Sequence, residues 1–121
     1  MNKQSVSDSS VREAAEILKN GGTVVFPTDT VYGLGTSFYS LEGIKKIYDI
    51  KRRETDKPLI ALISDTKYLE KLIDTEYGNI QDIKKITEKY WPGELTIIFK
   101  ANKNVPKNAV SNSNTIGIRI P

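Results

Sequence analysis

Apolar residues recur at helical spacing in several stretches of this chain and alternate at strand spacing near its end. Val11, Ala14, Ala15, Ile17 and Leu18 follow Ser10-Val11-Arg12-Glu13, which has the Ser-x-x-Glu form of a capping box. This predicts a first helix capped by Ser10 and stopped by Gly21-Gly22. Thr23-Val24-Val25-Phe26, β-branched and aromatic between Gly22 and Pro27, reads as a buried strand. Leu41, Ile44, Ile47 and Tyr48 then mark a second helix over Leu41 to Ile50, with Ser40 as its N-cap. Pro58 to Ser64 is a further apolar strand, and Pro58 biases Lys57 towards an extended backbone.

A short helix is expected from Asp65 or Thr66 through Lys71 to Ile73, and another, marked by Ile80, Ile83, Ile86 and Tyr90, ends before Pro92-Gly93. Leu95 to Phe99 reads as a strand, and in the last strand Ile116, Ile118 and Ile120 alternate with Thr115, Gly117 and Arg119. Between these two, Ala101 to Asn114 holds five Asn, two Lys and two Ser and reads as a loop. The order α-β-α-β-α-α-β-β predicts an α/β (α+β) fold, a mixed sheet with helices packed on it, in one domain over residues 1–121.

Composition narrows the chemistry more than it adds to it. At 121 residues and 13.6 kDa, with 38% apolar and 27% charged residues, the chain fits one globular core. Its longest apolar run, Leu59 to Ile63, is far shorter than the roughly 20 residues of a membrane span. Met1 to Ser10 is polar and unlike a signal peptide, so cytoplasm is the expected compartment. Cysteine and histidine are both absent. Thiolate nucleophiles, Ser-His-Asp relays, disulfides and thiolate or imidazole metal sites are therefore excluded. An enzyme of this composition would have to work by positioning and electrostatics, with Lys or Arg charge and a carboxylate-held or substrate-held metal ion.

Eighteen Lys and Arg against 15 Asp and Glu give +3, and this excess is concentrated in one place. Lys45, Lys46, Lys51, Arg52, Arg53 and Lys57 outnumber Asp49, Glu54 and Asp56 in the span 45–57, leaving the rest of the chain neutral. Such a focus suits phosphate or RNA, although a solvated helix end gives the same pattern. Lys51 and Arg53 converge on one side only if the helix has ended and the chain is extended there, and Glu54 and Asp56 could simply pair with these cations.

Two further stretches could carry chemistry. In Phe26 to Gly35, an extended backbone would put Thr28 and Thr30 on one side, fit to grip a small polar ligand, and Asp29 on the other. A turn with Thr and Asp caps is the plainer alternative. On the last strand, Thr115, Gly117 and Arg119 share a face on which Arg119 could take a carboxylate bidentately, unless that face is mere solvent-exposed surface.

Four segments, Pro27-Thr28-Asp29-Thr30-Val31-Tyr32-Gly33-Leu34-Gly35, Lys51-x-Arg53 with Lys57-Pro58-Leu59-Ile60, Trp91-Pro92-Gly93-x-Leu95-Thr96, and Thr115 to Pro121, match in order and spacing the YrdC/Sua5 family. The chain resembles these threonylcarbamoyl-AMP synthases of tRNA modification from about Gly21 to Pro121. The resemblance implies a YrdC-like twisted mixed sheet. It also implies a reaction in which L-threonine and bicarbonate or CO2 give N-carboxythreonine, whose carboxylate attacks the ATP α-phosphate to yield L-threonylcarbamoyl-AMP and pyrophosphate.

By the same resemblance, Thr28 and Thr30 would contact threonine and Arg119 would hold its carboxylate. Lys51, Arg53, Lys57 and Thr115 would line the ATP site, with Lys51 and Arg53 catalytic, Mg2+ arriving with ATP and no metal site in the protein. Partner proteins would pass the threonylcarbamoyl group to adenosine 37 of ANN-decoding tRNA, and tRNA or double-stranded RNA is a further candidate partner. The chain departs from the pattern at Glu54, where many members have Pro. The family domain runs roughly 70–80 residues further, about the size of a typical domain in all, so the chain corresponds to a C-terminally truncated, N-terminal part. The family's Ser/Thr-x-Asn element has no equivalent in Ser111-Asn112-Ser113-Asn114, which precedes the last strand. A non-catalytic nucleotide- or RNA-binding module is the alternative reading.

Overall fold

In the computed structural model, which describes residues 3–110 and 114–121, the chain opens with helix α1 (Asp8–Lys19). Its capping box lies three residues upstream of the predicted one. Ser7 Oγ accepts from Ser10 N–H at 3.2 Å, and Ser10 Oγ accepts from Ser7 N–H at 2.8 Å. The Ser10 hydroxyl thus does what a Glu at that position would do, and Ser10 becomes part of the helix. Gly21, at φ +78°, ends it as expected.

Strand β1 (Thr23–Phe26) forms over the predicted residues but is not the buried strand expected, since Val25 is exposed and the other three are half-buried, and it pairs antiparallel with a strand the sequence pattern does not show, β2 (Gly33–Thr36). Helix α2 (Leu41–Lys51) has Ser40 as N-cap, its hydroxyl accepting from Gly43 N–H at 3.0 Å. α2 lies against the β1–β2 ribbon so closely that a Cβ on Gly43 would sit 2.0 Å from Thr36 Oγ1, which itself donates to the Gly22 carbonyl at 2.9 Å. Alanine is the better helix former by about 1 kcal/mol, yet here the clash must win. Gly43→Ala is expected to destabilise the fold by about 1–3 kcal/mol in chemical denaturation, because the Thr36 bond breaks or α2 lifts off the ribbon.

Next come β3 (Ile60–Leu62), shorter than the strand predicted over Pro58 to Ser64, and then a single 3-10 turn (Thr66–Tyr68) capped by Asp65 and α3 (Leu69–Leu72), which together make up the predicted short helix. Helix α4 (Ile80–Tyr90) ends before Pro92 as expected. Its apolar stripe is split, however: Thr87 is buried and Ile83 half-buried, whereas Ile80, Ile86 and Tyr90 are exposed. After β4 (Ile97–Lys100), the segment expected to be a loop contains a short helix, α5 (Lys107–Val110). Ala109 and Val110 bury themselves there, and that burial forms the turn despite the polar composition around it. Ser111, Asn112 and Ser113 of the Asn-rich run lie outside the described residues.

The last strand, β5 (Thr115–Arg119), is the centre of a three-stranded sheet in the order β3-β5-β4, parallel to β3 and antiparallel to β4. The sheet is mixed, as predicted, but the first strand belongs to the separate β1–β2 ribbon. Ile116 and Ile118 are 1% and 0% exposed and form one core with Ile44, Tyr48, Leu72, Trp91 and Val110. Burying two isoleucines this completely contributes about 1.5–3 kcal/mol each. On the opposite face, Ile60 stands beside Gly117 and Leu62 beside Arg119, and both Ile60 and Leu62 remain exposed. That uncovered face is one wall of a cleft.

Among the described residues no helix is long and apolar enough to cross a membrane.

Candidate functional site

The cleft, of about 490 Å³, lies between the β1–β2 ribbon and the outer face of β3 and β5, with the end of α2 closing one side. Its volume is in the range of small-molecule sites, about 300–1,000 Å³. The ribbon comes close because Phe26 lays its ring over two glycines: a Cβ on Gly35 would meet that ring at 2.7 Å and one on Gly33 at 3.2 Å.

Thr28 and Thr30 line the cleft from the loop joining β1 to β2. They share a side as expected, with the two hydroxyls 3.2 Å apart, but by a different route. The backbone turns: Thr28 Oγ1 donates to the Val31 carbonyl at 2.6 Å and accepts from Thr30 N–H at 3.2 Å. This side-chain-to-backbone turn overrides the alternation of an extended chain and brings Asp29 round to the same partner as Thr30, not to the opposite side.

That partner is Arg119. Its Nε donates to the Gly93 carbonyl at 2.9 Å, Nη1 to Thr30 Oγ1 at 3.1 Å, and Nη2 to Asp29 Oδ1. The Arg119 side chain is only 12% exposed, so its charge is set in a partly desolvated place, where a paired and hydrogen-bonded guanidinium is stable and an unpaired one would not be. Gly93 follows a cis Trp91–Pro92 bond and is tied to the strand end by its own N–H, which donates to the Ile120 carbonyl at 2.8 Å. The Trp-Pro-Gly segment therefore anchors the arginine, a role that spacing alone does not reveal. Asp29 is the other residue that joins the site; of the two conformations the sequence left open for Thr28-Asp29-Thr30, the structure forms the turn, and the pairing with Arg119 is set by the distant strand.

Lys51 and Arg53 line the same cleft. They do so without the extended chain expected: Lys51 is still the last residue of α2, and Arg52 takes φ +49°, ψ +40°, a left-handed turn after which Arg53 N–H donates to the Tyr48 carbonyl at 2.9 Å. A second hollow, of about 440 Å³, adjoins at this end, lined by Lys51, Arg52, Arg53, Glu54 and Lys57. Lys57 lies in this hollow and not in the main cleft. Glu54 pairs with it at 3.5 Å, both side chains well exposed, which is worth about 0–1 kcal/mol and leaves the hollow cationic. Thr115 opens β5 opposite Lys100, on the strand face of Gly117 and Arg119, and lines neither hollow. Among the described residues no group of three or more Asp or Glu side chains gathers as a metal site.

The chain is similar in sequence and in fold to known proteins. The model of the family Sua5/YciO/YrdC, described as telomere recombination, matches residues 16–121. A threonylcarbamoyl-AMP synthase of Bacillus subtilis is 35% identical over 118 residues, which cover 97% of this chain and 33% of that protein. A putative threonylcarbamoyl-AMP synthase of Methanocaldococcus jannaschii is 41% identical over 107 residues, covering 88% of this chain and 48% of that one. Among solved structures, that of P. abyssi Sua5 complexed with L-threonine superposes with a TM-score of 0.88 at 30% identity, covering 98% of this chain and 34% of that one. The chain thus spans a third to a half of the length of these relatives.

Proposed function

The chain belongs to the Sua5/YciO/YrdC family, and from that premise we propose that its cleft holds L-threonine beside ATP and, with bicarbonate or CO2, forms L-threonylcarbamoyl-AMP and pyrophosphate. The observation that carries this reading is the convergence of Thr28, Thr30, Lys51, Arg53 and Arg119 on one cleft from three separate parts of the chain. Support also comes from relatives named for this synthesis and from a relative complexed with L-threonine.

Each residue has a task that its chemistry fits. Arg119 presents its terminal nitrogens to Thr30 and Asp29, and the threonine carboxylate takes the place of Asp29 on that fork while Thr30 stays within reach of the substrate. The threonine amine bonds to the carbon of CO2 and loses a proton to solvent. The resulting carbamate oxygen attacks the α-phosphorus; the bond from that phosphorus to the bridging oxygen breaks, and pyrophosphate leaves with the electron pair. Lys51 and Arg53, with Lys57 in the adjoining hollow, hold the polyphosphate and stabilise the charge that builds on the leaving group. Mg2+ comes with ATP as part of the substrate. The adenylate product would then pass to partner proteins that modify tRNA.

The test is pyrophosphate release from ATP by the full chain, with threonine and bicarbonate each omitted in turn. Release that requires both supports the synthase. Retention of RNA with no release of pyrophosphate identifies a binding module instead.

A further inference from the structure

Tyr48, which lines neither the cleft nor the adjoining hollow, holds both ends of the cationic loop after α2. Its side chain is buried in the core at 5% exposure, packed with Ile44 and Val110 in the same cluster. Its backbone carbonyl accepts the N–H of Arg53 at 2.9 Å, and its hydroxyl donates to the carbonyl of Lys57 at 2.6 Å. The first and last residues of the loop 53–57 are therefore tied to a single residue of the rigid helix.

The far tie also bears on a side chain in the cleft. Arg53 Nε donates to the same Lys57 carbonyl at 3.5 Å, and Arg53 Nη2 donates to the Pro58 carbonyl at 3.1 Å. The guanidinium is thus located by the Lys57 and Pro58 carbonyls, and the first of these is located by the phenol. A guanidinium has five N–H donors, so two bonds to carbonyls fix its plane and leave three for an anion. A loop that is free to shift would move that plane with it, and planar recognition of phosphate oxygens tolerates little displacement.

We propose that Tyr48 is a positioning residue for the polyphosphate side of the site, acting through the Lys57 carbonyl on the Arg53 guanidinium. The inference rests on the reading of this end of the cleft as the ATP site. Tyr48→Phe keeps the buried ring and removes only the hydroxyl. Titration calorimetry on the full chain, with ATP and with inorganic triphosphate as probes, is expected to show binding of both weakened about three- to tenfold, with threonine affinity unchanged. In the release assay the KM for ATP rises by the same factor while kcat at saturating ATP holds. In an Arg53→Ala background the further change Tyr48→Phe is expected to leave ATP affinity where Arg53→Ala alone puts it, because the tyrosine acts through that arginine.

Three results would overturn the proposal: ATP affinity in Tyr48→Phe equal to wild type, threonine and ATP affinity falling together, or a Tyr48→Phe chain that does not fold, which would make the tyrosine a residue of the core alone. Wild-type chain that binds neither ATP nor triphosphate overturns the nucleotide reading as well, so the two failures are told apart by the unmutated protein.

Discussion

Arg119→Ala is expected to weaken threonine binding about tenfold to hundredfold while ATP binding stays within about twofold, since a hydrogen bond to a charged partner contributes about 1.5–3 kcal/mol. The separation of the two effects follows from the placement of the arginine. It reaches the cleft from β5, its Nε fixed by the Gly93 carbonyl and its fork turned towards Thr30 and Asp29 of the β1–β2 loop. The cations at the end of α2 are attached to a different element and do not depend on it. Asp29 loses its partner in the variant, but at 39% side-chain exposure it can be solvated, so the cost to the fold is small beside the cost to the ligand. Arg119→Lys separates charge from shape: a lysine restores a point charge but no planar fork, and it is expected to recover only part of the affinity. Calorimetric titration of each variant with threonine and with ATP checks both statements. A parallel loss of the two ligands would show that Arg119 supports the cleft as a whole and would remove it from the threonine site.

The parts of this arrangement that were legible in the sequence are those in which a local rule decides the outcome. α2 forms where a capping side chain, Ser40, and three-to-four spacing agree, and β5 buries Ile116 and Ile118 because strict alternation leaves no other choice of face. β2 was not legible: Gly33-Leu34-Gly35-Thr36 holds one apolar side chain, and it becomes a strand only through pairing with β1 and the packing of Phe26 over its glycines. α5 was hidden for the converse reason, a polar composition in which two buried residues, Ala109 and Val110, set the structure. The site shows the same division. Thr28, Thr30, Lys51, Arg53 and Arg119 could be picked out by residue type, whereas the contacts that aim them depend on residues distant in sequence. Asp29 and Arg119 are 90 residues apart, and Gly93 and Arg119 are 26 apart. Local patterns cannot encode such pairs; the sheet that brings them together does.

Lys51→Ala is expected to lower pyrophosphate release about 10²–10³-fold, the usual loss when a preorganised group facing developing charge is removed. Lys51 is the last residue of α2, so its ammonium stands at the negative end of the helix dipole. Without it, the leaving phosphates would lose the cation that offsets the negative end of the helix dipole. Arg53 and Lys57 replace little of this contribution, because the Arg53 guanidinium is oriented by the Lys57 and Pro58 carbonyls and Lys57 lines the adjoining hollow and not the cleft. Threonine affinity is expected to be unchanged, since Thr28, Thr30 and Arg119 are held by contacts among themselves and with Val31, Asp29 and Gly93. Lys51→Arg keeps the charge at a different reach and is expected to restore most of the ATP affinity but less of the rate, because a ground-state contact tolerates misalignment that a transition-state contact does not. The measurement is initial-rate pyrophosphate release with threonine and bicarbonate saturating, alongside titration with ATP. A Lys51→Ala chain that keeps more than about a third of the wild-type rate would place the leaving group elsewhere, since so small a loss is well under 1 kcal/mol.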